Sequence, residues 1–322
     1  MASATCLECS KQFDTEAGLH IHVAAKHGSV QAYYHQHFPR YCRLTGELLP
    51  FKDKATYMLA DFASRSNQIQ WLRSADRTEI KRYVMQYWEA RKARKSLVYA
   101  PAQVEMRSLD MPGKKTLNDL FGDYNVVFDS IGLKRRFEQD VLLLPPTDIS
   151  KQMIIVDTRE QQPLEFARRT RSTALRFGDY RLSNNKVSDS CYIERKSVMD
   201  FHGSVCKGFE RFEREVGRAL SAGAYLIVLV EGTLNDVRSF SSSGFFNKPL
   251  SEARQKRSIT SASSVFSKMR ELLQLYPENL QFLFVKDRDT SVQVIERLFA
   301  SSGEYKKVDL QYAYDTGNLH GL

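Results

Sequence analysis

Four short apolar runs, each ending in charge, punctuate the second half of the chain: MIIVDTRE (153–160), CYIERK (191–196), AYLIVLVEG (224–232) and LQFLFVKD (280–287). They read as strands, and the third is apolar without a break, as expected of a strand covered on both faces. Helical periods separate the last three. FERFEREVGRAL places Phe209, Phe212, Val216, Ala219 and Leu220 on one stripe. SASSVFSKMRELLQLYP (261–277) does the same with Val265, Phe266, Met269, Leu272 and Leu273. Strands alternating with helices predict an α/β domain with a largely parallel core sheet. A site in such a sheet lies beyond the strand ends, where the charges cluster here.

The first half has a different rhythm. RTEIKRYVMQYWEARKARK (77–95) sets Ile80, Tyr83, Val84, Tyr87 and Trp88 on one helical face. The pattern divides the chain into a small Cys/His segment (1–30), a mostly helical, basic region (31–148), the α/β domain (150–305) and a polar tail (306–322). The clearest boundary is LLLPPTDISKQ, where Pro145 and Pro146 stop regular structure.

Composition narrows the function classes. A 42% hydrophobic share in 322 residues supplies a sizeable core. The net charge of +9 is spread over both halves, which suits several surfaces laid on a polyanion. No apolar run has membrane-spanning length and the N-terminus lacks a signal-peptide core, so a soluble intracellular protein is expected. The expected compartment is the cytoplasm of a phage-infected bacterium, or the nucleus in a eukaryote. Five irregularly spaced cysteines argue against a disulfide framework. On the 77–95 helix, Lys81, Arg82, Arg91, Lys92, Arg94 and Lys95 occupy the other face, either as phosphate contacts or as an ordinary solvated surface.

Cys6 and Cys9, then His22 and His27, have the spacing of tetrahedral zinc ligands, with Phe13 and Leu19 at the apolar positions between the pairs. His20 is an alternative ligand. Cys42, His35 and His37 lie nearby as surface residues or as a degenerate second site. The first segment resembles a zinc finger of the two-cysteine, two-histidine type, which implies one structural Zn²⁺ supplying folding energy. Together with residues 99–132, it resembles the DNA-binding part of phage homing-type endonucleases, so DNA binding is expected of the 31–148 region.

The chemistry sits at the charged strand ends. Glu194 and Lys196 are two apart on a strand and share a face, while Arg195 points to the other. A carboxylate that holds a hard cation, beside a lysine, suits metal-dependent phosphodiester cleavage. Asp179 in FGDYRL adds a second carboxylate, giving a D…ExK order. VDTRE adds Asp157, Arg159 and Glu160, and Asp200 follows Lys196 by four residues. This motif order resembles that of the XPF/Mus-type structure-selective nucleases, a branch of the PD-(D/E)xK superfamily, over roughly residues 150–300. The resemblance implies a restriction-endonuclease-like core sheet flanked by helices. It implies Mg²⁺ or Mn²⁺ on Asp179 and Glu194 with a backbone carbonyl near Arg195, and Asp157 and Glu160 completing the shell or holding a second ion. It assigns Lys196 as the catalytic lysine, with Arg159, Arg195 and Asp200 in support. Relatives usually carry a helix-hairpin-helix module behind the nuclease, and none is visible after residue 300.

The expected activity is therefore a metal-dependent endodeoxyribonuclease on double-stranded or branched DNA. It is read first as site-directed and homing-type, with a branch-selective repair or recombination nuclease as the alternative. Dimerisation through the nuclease domain stays open. A dead nuclease scaffold that binds DNA and a zinc-finger adaptor that binds protein are the rival classes. Residues 241–260 read equally as a mobile DNA-contacting loop or an ordinary one.

Overall fold

The computed structural model describes residues 4–60, 65–144, 152–183, 191–240 and 262–319. The Pro145–Pro146 boundary and the 241–260 loop lie outside the described residues. The chain forms two compact units, Met1–Ser96 and Leu97–Leu322. The helical region expected over 31–148 is thus shared between them.

In the first unit, a short hairpin of β1 (Ala4–Thr5) and β2 (Gln12–Phe13) leads into α1 (Glu16–Lys26), capped by Thr15, whose side chain accepts from Gly18 N. This segment is not a separate bead. Tyr33 and Tyr34, from α2 (Val30–His37), and Tyr57, from α3 (Lys54–Leu59), pack with Cys6, Leu19 and Val23 in one aromatic core. The Tyr33 hydroxyl accepts from Leu7 N at 2.9 Å. Helices α4 (Arg65–Ser74) and α5 (Arg77–Lys95) follow. The predicted stripe of α5 is its buried face at Ile80, Val84, Tyr87 and Trp88.

One turn recurs. Cys6 N donates to Lys11 O and Ser10 N to Cys6 O; Cys42 N donates to Glu47 O and Gly46 N to Cys42 O. Both fifth residues of these turns, Ser10 and Gly46, have positive φ. In the second copy, Thr45 stands where the first has Cys9. Arg94 secures this copy by donating to Arg43 O at 2.7 Å, and a Cβ on Gly46 would strike its guanidinium.

The second unit opens with three helices, α6 (Gln103–Ser108), α7 (Lys114–Phe121) and α8 (Tyr124–Ser130). A six-stranded sheet follows in the order β4 (Thr170–Ser172), β3 (Ile154–Val156), β5 (Tyr180–Leu182), β6 (Cys191–Ser197), β7 (Tyr225–Glu231), β8 (Leu280–Val285). Pairs β6–β7, β7–β8 and β3–β4 are parallel, but β3–β5 and β5–β6 are antiparallel. The sheet is mixed rather than largely parallel. The link from β5 to β6 is too short for a crossover helix and suits an antiparallel return.

Strand β7 shows why its run is apolar without a break. Leu226, Val228 and Val230 enter a core with α9 (Val198–Val205), α10 (Phe209–Ser221), α11 (Leu234–Ser239) and α12 (Ala262–Leu275). Ile227 and Leu229 enter the opposite core with α13 (Arg288–Ala300) and α14 (Leu310–Asp315). The polar tail expected over 306–322 is in fact part of that second core. Val308, Leu310, Ala313 and Leu319 are buried, and the Gln311 side chain bonds both Phe284 N and O. Four apolar anchors, two of them i,i+3 on α14, outweigh the polar majority.

Residues 97–142 fasten to this domain by buried charge. Arg136 pairs with Glu105 at 3.1 Å and donates to Leu280 O at 2.8 Å. Lys114 is buried between Asp140 and the rings of Tyr124 and Tyr312. Among the described residues, no helix is long and apolar enough to cross a membrane. Removing one partner of a buried pair strands the other. Arg136→Ala is therefore expected to lower stability by about 3 kcal/mol, and Arg135→Ala, at an exposed pair with Asp129, to have a far smaller effect. Urea unfolding of both variants checks the contrast.

Candidate active site

Three adjacent strands build the site. Asp157 N donates to Asp179 O and Asp179 N donates to Ile193 O, both at 2.8 Å, so the ends of β3, β5 and β6 are in register. Gly178 makes this approach with φ +57, and a Cβ there would lie 2.8 Å from Ile193 O. The carboxylate of Asp179 then accepts from Arg195 N at 2.7 Å. Beside it on β6, Glu194 meets Lys196 at 2.9 Å. The ammonium of Lys196 also sits 5.0 Å from the Phe212 ring centroid, on α10. Asp179 and Glu194 line one cleft with Arg159, Arg176 and Arg218.

The electrostatics follow from this crowding. Burial, followed by the Glu194 charge, pushes Asp179 up from 3.8 to about 7, against the pull of the Arg195 amide and Lys196. A hard divalent cation is what two crowded carboxylates accommodate, so Asp179 and Glu194 fit the metal the resemblance implies.

Asp157 and Glu160, expected to complete the metal shell, each pair with an arginine. Asp157 accepts from Arg159 Nε at 2.7 Å, Arg159 Nη2 at 3.1 Å, Arg159 N at 2.8 Å and Leu175 N. Burial opposes its charge, but these donors outweigh burial and hold its pKa below the ordinary value. Glu160 is bound at 3.0 Å by Arg195, whose other Nη pairs with Glu231 at 2.8 Å. Both carboxylates thus hold arginines, and the Glu160 charge also adds to the crowding at Asp179. Asp200 also stands apart: its carboxylate accepts from Ser197 Oγ at 2.7 Å, and its amide donates back to that oxygen at the start of α9. Arg195 does face away from Glu194 and Lys196, as the strand period predicts. Glu231 was not expected. Its signal in the sequence is a carboxylate ending the third apolar run, in register with Ser197.

In the first unit, Cys6, Cys9, His22 and His27 bring one donor atom each to within 4.8 Å of one another, the one such group of three or more among the described residues. His22 Nε2 lies 3.2 Å from Cys9 Sγ. Two thiols and two imidazoles in that volume fit zinc. His20 is turned to the Tyr34 hydroxyl at 3.0 Å, away from the group. His35 meets Leu49 O and His37 meets Glu8, so neither gathers with Cys42. On α5, Arg82, Arg94 and Lys95 are exposed and Lys81, Arg91 and Lys92 half-buried; Arg94 serves the Gly46 turn.

Residues 156–298 match the family model described as ERCC4 domain. Among solved structures, XPF from Aeropyrum pernix is 24% identical over 46% of this chain and 59% of that chain, with a TM-score of 0.31. XPF from Aeropyrum pernix in complex with DNA is 23% identical over 48% of this chain and 66% of that chain, with a TM-score of 0.33. The chain therefore spans 59–66% of the length of these two structures. No curated protein matches it.

Without a divalent ion, the folded chain keeps the Asp179 proton to about pH 7, whereas the unfolded chain loses it near 3.8. Stability is then expected to fall as pH rises through that window, because the unfolded state binds fewer protons. Asp179→Asn removes this component. Urea unfolding across the window compares the two proteins, and parallel pH curves would contradict it. Added Mg²⁺ is expected to raise the melting temperature of the wild type and not of Asp179→Asn.

Proposed function

We propose that this protein is a metal-dependent endonuclease that hydrolyses phosphodiester bonds in branched DNA. The observation that carries the reading is that Asp179 and Glu194 line one cleft, with Lys196 bonded to Glu194, inside the residues that match the ERCC4 domain. That match falls on the stretch resembling structure-selective nucleases. It favours the branch-selective reading over the site-directed homing one, for which neither the fold nor the comparisons supply support.

Asp179 and Glu194 would hold Mg²⁺ or Mn²⁺, which when bound supplies an activated water and charge stabilisation at the phosphate. The chain's own groups do the positioning. The Arg195 amide fixes one oxygen of Asp179. Lys196, held against Glu194 and the Phe212 ring, presents an ammonium to the attacking water or to a phosphate oxygen. The Arg195 side chain ties Glu160 and Glu231 behind the strand and fixes its end. In the first unit, a structural Zn²⁺ on Cys6, Cys9, His22 and His27 stabilises the hairpin and α1. Lys81, Arg82, Arg91, Lys92 and Lys95 supply phosphate contacts that position DNA without reading it.

The test is cleavage of flapped, forked and blunt duplex DNA of one sequence in Mg²⁺. Wild type is expected to cut at the branch, and Glu194→Gln and Lys196→Met to lose on the order of a hundredfold or more. Equal cutting by Glu194→Gln overturns catalysis, and one recurrent site in long duplex restores the site-directed reading. Elemental analysis of the full chain is expected to give about one zinc per chain, lost in Cys6→Ser/Cys9→Ser together with thermal stability.

A further inference from the structure

Beyond the cleft that holds Asp179 and Glu194 lies a larger groove of about 810 Å³. The two share Arg176, Phe177, Glu215 and Arg218 in their linings, so they adjoin. The groove is walled by α10, where Arg211, Arg214 and Arg218 fall at i, i+3 and i+7 on one face. Arg176 faces them from the segment that leads into Gly178 and Asp179.

Most of these charges are uncompensated. Arg211 meets Glu215 at 3.7 Å. Arg176, Arg214 and Arg218 are exposed and pair with no carboxylate among the described residues. The buried arginines around the site behave in the opposite way: Arg195 is fully committed to Glu160 and Glu231. Exposed guanidinium groups left free on a concave wall suit a polyanion. From Arg211 to Arg218 the helix rises on the order of 10 Å, enough to follow more than one phosphate.

The groove also contains a ring. Phe177 is half-exposed, set edge-on to Tyr192 at 5.6 Å, with the Arg176 guanidinium 5.1 Å from its centroid. A duplex keeps its bases stacked inside and has no use for an aromatic floor. An unpaired strand does, because its bases stack on rings while its phosphates follow the cations.

We infer that the groove between α10 and Arg176–Phe177 binds a single-stranded segment adjoining the scissile phosphate, with Arg176, Arg214 and Arg218 on its phosphates and Phe177 under a base. That the phosphate is scissile rests on the nuclease reading; the binding of the strand rests on the groove's geometry alone. It makes these four residues positioning and specificity determinants, and it gives a physical source for branch preference: only DNA with an unpaired arm fills the groove.

The experiment uses the full chain carrying Glu194→Gln, without added divalent ion. Fluorescence anisotropy follows its binding to a labelled blunt duplex and to the same duplex with a single-stranded overhang, over a salt series. Arg176→Ala/Arg214→Ala/Arg218→Ala is expected to weaken overhang binding roughly tenfold or more and to lower the log–log salt slope by about 0.7 per arginine. Phe177→Leu, which keeps apolar bulk against Tyr192, is expected to weaken overhang binding roughly tenfold and leave blunt duplex unchanged. Circular dichroism confirms folding of each variant. Unchanged overhang affinity and slope in the folded triple variant overturns the groove. Equal losses on blunt and overhang DNA overturn the single strand in favour of duplex backbone. If wild type fails to cleave any DNA, the nuclease reading falls while the binding result stands. If wild type cleaves and the triple variant binds normally, only the groove falls.

Discussion

The arrangement depends on one unfavourable contact, the approach of two carboxylates, Asp179 and Glu194, in a cleft that excludes much of the water. Like charges at short range in low dielectric repel strongly, and burial compounds the cost. The chain offsets this with backbone geometry. The ladder bonds from Asp157 N through Asp179 to Ile193 O hold the three strand ends to one spacing, and the positive φ of Gly178 allows the approach. The Arg195 amide and the Lys196 ammonium partly neutralise the pair. The remaining imbalance is what the binding of a cation would relieve.

Strand β6 separates this chemistry from its support by alternation alone. Glu194 lines the cleft and meets Lys196 on the same face. Arg195, between them, reaches the other way and joins the end of β3 to the end of β7 through Glu160 and Glu231. A carboxylate on that rear face therefore stabilises a strand end, and one on the front face burdens it. This difference explains why charges so close in sequence have opposite roles; Asp157, at the end of β3, is held by Arg159 and two amides.

Those features were legible in the chain to the extent that they are local. The period-two split at Glu194, Arg195 and Lys196, the unbroken run of β7 and the stripe on α10 all follow from neighbours in sequence. The Cys6–Cys9 and His22–His27 spacing marked four donors that do converge, because a hairpin and one helix suffice to bring them together. Pairings that span the fold were not legible. Nothing near Glu160 announces Arg195, 35 residues away. The tail read as polar because its apolar anchors are sparse, yet Gln281 bonds its Val308 O and Leu310 N, and its own Gln311 bonds Phe284, all in the core. The sheet read as parallel because only the later strands are long, and the antiparallel pairs are carried by β3 and β5, three residues each.

The sorting of arginines around the cleft follows from the same dielectric argument. Arg195 and Arg136, nearly buried, are each matched to carboxylates, since an unmatched charge there would carry its full desolvation cost. Arg176, Arg214 and Arg218 stand in water, where salt screens them within about 10 Å and no partner is needed for folding. They therefore contribute little to stability and do not cancel the buried carboxylates. What they do contribute is a positive rim to a negative cleft. A phosphate chain can lie along such a rim and still have one of its members enter the cleft, where a bare anion would otherwise meet Asp179 and Glu194 unassisted. The rim overcomes that repulsion at the entrance, and the cation between the two carboxylates would overcome it at the centre.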